Sequence, residues 1–373
     1  MDGLERMLTA LRRSEPDTVP VWELLIDHAV IEALHGDIST EDLVELEGLD
    51  GITVVTDSKK TWLDSGTYRD EWGITWRVGE YGIGYPSDGP VKLEKDLETY
   101  HPPDPDADYR YKSAARVVDR FKGEKAIVFL GHEAFEYSWL LMGGMTGLFI
   151  NYIENPDFAR QLAEVVWSYQ GRLLENMAQL GVDILLTADD YAGGTGPLVS
   201  PNHFREFILP YLQKSVDVAH QNGLPFIKHT DGNLWKILDM IVDTGIDGLH
   251  PNEPMAGMDI GEVKARYGHR IAVLGNVDCA VLLTEGSRDE VIEAVKETIA
   301  KASHDGGHVL SSSNSIHPAV KASNFATMVA AARKHGEYPL DPGLASYKSK
   351  NYIARYRDPQ ETRAQTEVGP PAA

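Results

Sequence analysis

The chain has 373 residues, 42% of them hydrophobic and 25% charged, an ordinary globular balance with apolar material for a large core. A formal charge of −22 disfavours a nucleic-acid duplex or an anionic membrane surface as partner, because phosphates would be repelled. The single cysteine, Cys279, excludes an internal disulfide and a cysteine-rich metal cage, and it suits a reducing cytoplasm.

The opening "MDGLERMLTALRRSEPD" has the apolar spacing of an amphipathic helix stopped by Pro16, without the unbroken apolar stretch of a signal peptide. No apolar run approaches the roughly 18 residues of a membrane span. Eight short apolar runs then recur, each ending in polar or Gly-rich residues. The first four are "VPVWEL" from Val19, "GITVVTD" from Gly51, "AIVFLGHEAF" from Ala126 and "VDILLTADDY" from Val182. "PFIKHTDG" from Pro225, "IDGLHPNE" from Ile246, "IAVLGNVD" from Ile271 and "GHVLSSSN" from Gly307 complete the set. Continuous rather than alternating apolar runs suit parallel strands covered on both faces. Helical patterns lie between most of them, such as "SPNHFREFILPYLQKSVDVAHQNG", with a Ser-Pro start and an Asn-Gly end. Strand and helix alternating eight times predict an α/β fold, a (β/α)8 TIM barrel, over a doubly wound open sheet.

Residues 62–112 break the rhythm. Aromatic and Gly-rich, they predict a β-hairpin inserted between strands two and three, followed by the loop "HPPDPDADYRY". The expectation is a single barrel domain over 1–345 and a tail over 346–373 whose end is disordered.

In a closed parallel barrel the C-terminal strand ends converge on one rim, where the active site sits. The eight runs present Trp22 and Glu23; Asp57; His132, Glu133 and Glu136; Asp189, Asp190 and Tyr191; His229 and Asp231; His250, Asn252 and Glu253; Asn276 and Asp278; and Ser312, Ser313, Asn314 and His317. Asp57 and Asp278 also read as helix caps. Asp189 and Asp190 repel each other unless one is protonated or paired. His229 and Asp231, two apart, face the same side of a continuing strand, where they can ligate zinc or share a proton. A third ligand would come from Glu23, Glu133, Asp189 or Asn314. The plain alternative is a hydrogen-bonded polar layer in the barrel mouth.

Four stretches carry a family resemblance over residues 5–337: "VPVW", "GVDILLTADDYAGGTGPLVSPNHFREFILPYLQKSV", "LGNVD" and the "SIHP" turn. Together they make the chain similar to the uroporphyrinogen decarboxylase superfamily, which implies a (β/α)8 barrel. That superfamily divides into porphyrinogen decarboxylases and corrinoid-linked methyltransferases. The decarboxylases carry an "RQAGRYLPEY"-like loop whose arginines bind substrate carboxylates, whereas here no Arg lies between Arg13 and Arg69. The zinc-dependent thiol methyltransferases carry H-x-C on strand five and a second Cys on strand eight; the matching positions here are His229, Asp231 and Asn314. The "WELLID" start and "SSSNSIHP" end are more similar to the methyltransferase components of O-demethylase systems. This branch implies methyl transfer from a small methoxylated substrate to a corrinoid on a partner protein, with zinc optional. On that reading His229, Asp231, Asp189 and Glu133 are catalytic, and His229 and Asp231 hold any metal. Trp22, Glu23, His132, Asp190, Tyr191, Asn276 and Asn314 bind substrate, and Trp22, Phe135, Tyr137 and Tyr191 form an apolar wall. The alternative is a decarboxylase of a small or tetrapyrrole carboxylate.

Overall fold

The computed structural model describes residues 1–79, 82, 84–345 and 347. Strands β1 (Gly51–Val54), β6 (Ala126–Gly131), β7 (Ile184–Thr187), β10 (Phe226–His229), β11 (Gly248–His250), β12 (Ala272–Leu274) and β13 (His308–Val309) form one sheet in that order. Every pairing in it is parallel. These are seven of the eight apolar runs. The remaining run, "VPVW", forms bridges rather than a ladder strand, but it touches both edges of the sheet. The Trp22 N–H donates to Leu310 O and the Leu310 N–H to Pro20 O, while on the other side the Asp50 N–H donates to Val21 O. The result is a curled parallel sheet with helices outside it, a TIM-barrel-like arrangement.

Alternation along each strand sorts the core into two layers. Ala126, Val128, Ile184, Leu186, Ile227, Ala272, Leu274 and Val309 pack inside the curl with Trp22 and Leu24. Ile127, Phe129, Leu185, Phe226, Leu249 and Val273 pack outward against helices. The opening helix Gly3–Leu11 starts with a capping box between Asp2 and Glu5 and sends Met7, Ala10 and Leu11 into the inner layer, stoppering that end of the curl.

The segment between β1 and β6 is larger than the expected hairpin. It folds as an antiparallel sheet of β2 (Lys60–Trp62), β3 (Thr67–Asp70), β4 (Thr75–Val78) and β5 (Gly84–Asp88), in that order among the described residues. A small hairpin, β8 (Ala192–Gly193) with β9 (Gly196–Pro197), follows β7. The predicted helix from Ser200 is broken into Pro201–His203, a wide π-type turn over Phe204–Ile208 and the helix Leu209–Gln221. Pro210 has no N–H to continue the regular ladder, which accounts for the bulge just before it. Nearly all of the expected disordered tail lies outside the described residues. Among the described residues no helix is long and apolar enough to cross a membrane.

Candidate active site

The parallel register sets two imidazoles side by side: His229 at the end of β10 pairs with His250 at the end of β11. Their Nδ1 atoms are 2.7 Å apart, and His250 Nε2 is 3.1 Å from Ser311 Oγ. Burial holds His250 down at about 3 and His229 well below the usual imidazole range, so both rings are neutral. One proton therefore serves the Nδ1–Nδ1 contact. The Ser311 hydroxyl donates to Ser312 O, which leaves Ser311 Oγ to accept from His250 Nε2–H. His250 Nδ1 is then bare and accepts from His229 Nδ1–H. By elimination, His229 Nε2 carries its lone pair into the mouth.

That lone pair meets two carboxylates. Asp231 Oδ1 lies 3.7 Å and Asp190 Oδ1 3.9 Å from His229 Nε2. Asp190 Oδ1 also accepts the Asp231 N–H at 2.8 Å, and Asp231 Oδ2 accepts from Asn314 Nδ2. Asp231 Oδ1 is buried with no hydrogen-bond partner. Burial first, then Asp190 and Glu253, push the Asp231 carboxyl up to about 8. Glycine is required next in the chain: Gly232 has φ +88°, and a Cβ there would lie 2.4 Å from the Ala192 backbone. Its N–H donates to Glu253 Oε2 at 2.8 Å, which turns the loop back across the mouth.

A bare imidazole nitrogen facing two crowded carboxylates can be satisfied either by a proton on Asp231 or by a divalent cation. His229, Asp190 and Asp231 bring one candidate ligand atom each within 4.8 Å of one another, the nitrogen and oxygen set that could hold a cation such as zinc. The third residue brought into this cluster is Asp190, not Glu23, Glu133, Asp189 or Asn314 as the sequence suggested. Both aspartates follow the end of β7, the strand paired with β10, but Asp189 is turned to His132 and the Glu133 and Glu136 N–H groups, while Asp190 accepts the Asp231 N–H.

Glu23 sits behind Asn314. Its Oε1 accepts the Ser312 N–H at 3.0 Å, and its Oε2 is 2.6 Å from Ser312 Oγ, which is also 2.6 Å from Asn314 O. Ser312 has one hydroxyl proton and two acceptor neighbours. Both contacts are satisfied at once if Glu23 is protonated and donates to Ser312 Oγ, in keeping with burial raising this carboxyl from 4.5 to about 8. Between those values the folded state holds a proton that the unfolded chain releases. Stability therefore falls as pH rises through the window, by at most about 1.4 kcal/mol per unit. Glu23→Gln reproduces the protonated pattern, so it should melt above the parent protein at pH 8 and close to it at pH 5. Parallel melting profiles for the two proteins would rule out a protonated Glu23.

A second cluster lies toward β6. His132 Nδ1 is 3.1 Å from Asp189 Oδ1 and 3.7 Å from Glu136 Oε2. Asp189 also accepts the N–H groups of Glu133 and Glu136, each at 3.0 Å. The His132 ring first, then the Lys228 ammonium and the Glu136 N–H, hold Asp189 below the usual carboxylate range despite its burial, while burial raises Glu136 to about 7. On the opposite face of the strands from His229 lies Lys228, fully buried. Its ammonium donates to Glu133 Oε1 at 2.8 Å and to Asp189 O at 3.0 Å. Glu133 also accepts from Thr187 Oγ1 at 2.6 Å and from the Tyr191 hydroxyl. Glu133 is thus locked behind the strands and does not face the mouth.

The other expected residues divide as follows. Trp22 is no ligand wall: it is inside the curl, its Nε1 donating to Thr53 Oγ1 at 3.0 Å and its ring edge-on to His250 at 5.3 Å. Tyr191 and Phe135 are likewise buried in the core, while Tyr137 lines a cavity. Asn276 donates to Asn252 O at 2.9 Å and accepts from Thr298, a structural tie. Asp278 caps Val281 and Leu282, and Asp57 takes the Ser113 N–H and hydroxyl, the capping roles foreseen for both.

With this geometry in place, the chain can be set beside known proteins. The uroporphyrinogen decarboxylase of Actinobacillus pleuropneumoniae serotype 5b is 25% identical over 358 residues, covering 89% of this chain and 97% of that one. The enzyme of the same name from Thioalkalivibrio sulfidiphilus is 26% identical over 363 residues, covering 89% and 98%. A solved methyltransferase from Methanosarcina mazei shares the fold with a TM-score of 0.72 at 21% identity, over 90% of this chain and 99% of that one. Residues 70–335 match the family described as "Uroporphyrinogen decarboxylase (URO-D)", and the chain belongs to that family.

Proposed function

We propose that this protein moves a methyl group from a small methoxylated substrate to a corrinoid, carried by a separate protein or free as cobalamin. The observation that carries the reading is the convergence of His229 Nε2, Asp190 Oδ1 and Asp231 Oδ1 in a mouth lined by acids. A polycarboxylated porphyrinogen would meet Glu253, Asp190 and Asp231 there, with no arginine in the first loop to receive it. The fold likeness to the Methanosarcina methyltransferase supports the same branch. In this reading the ring is a complete (β/α)8 barrel with Val19–Trp22 as its first stave.

Methyl transfer breaks the ether C–O bond and leaves its electron pair on oxygen, so the leaving oxygen needs a proton or a Lewis acid. Zinc held by His229, Asp190 and Asp231 would supply the Lewis acid. The chain itself orients these groups. His250 and Ser311 fix the His229 tautomer, Asn314 holds Asp231 Oδ2, and the Asp231 N–H holds Asp190. Without a metal, Asp231 Oδ1 would instead hold the proton needed by the leaving oxygen, since its carboxyl is raised to about 8. The second reading is a decarboxylase, favoured by the names of the sequence relatives.

Purified protein mixed with methoxylated aromatics and cob(I)alamin is expected to form methylcobalamin, followed by its absorbance, and to release no carbon dioxide. Carbon dioxide from a porphyrinogen carboxylate, with no methylcobalamin formed, would transfer the assignment to the decarboxylase reading.

A further inference from the structure

Beside the mouth, between the antiparallel sheet and the C-terminal end of β6, lies a cavity of about 380 Å³, the size of a small-molecule site. Its walls are aromatic. Trp72 packs on Tyr137 at 4.5 Å and on Tyr169 at 4.7 Å between ring centroids. Tyr68 stacks on Trp76, with planes 9° apart, and all five rings line the cavity.

The charges around it are unequal in their partners. Glu71 receives Arg110 through two bonds of 2.8 and 2.6 Å, so this pair neutralises itself. Asp70 accepts from Trp76 Nε1 at 2.7 Å and from the Ile74 N–H at 2.9 Å. Lys59 and Lys60 have no ion pair among the described residues, yet both line the cavity. Their ammonium groups rest over rings instead: Lys59 lies 3.7 Å from the Tyr109 centroid and Lys60 5.0 Å from that of Tyr68. In a chain of net charge −22, a cavity lined by three cations, Lys59, Lys60 and Arg110, against two carboxylates, Asp70 and Glu71, is a local reversal of sign. At the inner end His132 also lines the space. Its Nδ1 is engaged by Asp189 and its ring meets Tyr137 edge-on at 5.2 Å, while Nε2 has no protein partner among the described residues. His132 therefore joins this cavity to the acid cluster that ends at Asp190.

We infer that this cavity binds a small aromatic anion, an arene carboxylate or phenolate. Its ring lies among Trp72, Trp76 and Tyr137, and its charge is met by Lys59 and Lys60. The inference rests on the methyltransferase reading only in taking the anion to be the substrate; binding itself is independent of turnover.

Three probes test it: 3-methoxybenzoate, benzoate, which has no methyl to give, and the neutral methyl ester of 3-methoxybenzoate. Each is titrated into the full chain and followed by tryptophan emission and calorimetry. Both acids should bind, and the ester should bind about tenfold more weakly, as expected for loss of a charge-assisted contact. Lys60 is exposed, so Lys60→Glu tests recognition rather than folding. It should weaken the acids about tenfold and leave the ester nearly unchanged. Equal affinity of acid and ester, acid binding indifferent to Lys60→Glu, or no binding at all would overturn the inference. If the acids bind as described but no methyl is transferred, the cavity stands and the methyltransferase reading falls. If 3-methoxybenzoate turns over with the same KM in Lys60→Glu, the reverse holds.

Discussion

His229→Ala is expected to lower methyl transfer to cob(I)alamin by about 10²- to 10³-fold, the scale of losing a group aimed at a developing oxyanion. The substitution removes the one neutral donor atom between Asp190 and Asp231, which then face each other with only a void between them. Two effects should appear together. Bound zinc, measured on the purified protein, should fall well below that of the parent. The pH optimum should also shift, because the remaining carboxylates share a proton more readily when no imidazole or cation separates them. His250→Phe should reproduce part of the loss without touching the mouth, since it frees His229 to adopt either tautomer. A His229→Ala protein with unaltered rate and unaltered zinc would take His229 out of the chemistry.

Lys228→Met should have the largest effect on folding. The methionine keeps the length and the apolar stem but removes the ammonium, leaving Glu133 fully buried with only Thr187 and Tyr191 as donors. Breaking a buried pair from one side costs about 3–5 kcal/mol, because the remaining charge must be protonated or endured. Burial already pushes the Glu133 carboxyl upward, and the Lys228 ammonium is a main opposing influence. A fall in melting temperature on the order of 5–10 °C follows. The double variant Lys228→Met/Glu133→Gln should recover much of it, since no charge is then stranded. If the double variant is no more stable than the single one, the loss comes from packing rather than from an unpaired carboxylate.

How far the sequence discloses this protein depends on which face of a strand a residue occupies. The apolar runs from Gly51, Ala126, Val182, Pro225, Ile246, Ile271 and Gly307 all became central strands, because their continuous hydrophobicity has no other stable use between helices. The run from Val19 was harder: Pro20 cannot donate to a ladder, so this segment makes isolated bridges instead. The mouth was legible as a gathering of polar strand ends, and His229, Asp231 and Asn314 do meet there. Lys228 was missed, although a lysine in the middle of "PFIKH" is itself a signal, since a charge in a buried strand demands a partner. His250 was visible at its strand end, but its bond to His229 depends on the register between β10 and β11, which one strand's sequence does not state. Glu133 was assigned to the chemistry for a similar reason: alternation beyond the strand end no longer tells which way a side chain turns.

The helix at Gly3–Leu11 has a consequence for traffic. With Met7, Ala10 and Leu11 wedged into one end of the curl, that pole is packed with apolar side chains, and the strand ends that carry His229 and His250 lie at the other. A vessel with a single doorway fills and empties in order. On the methyltransferase proposal, a small guest lodged deep would have to enter before a bulky one settles over the threshold, and the bulky one would have to leave before the remnant of the first could escape.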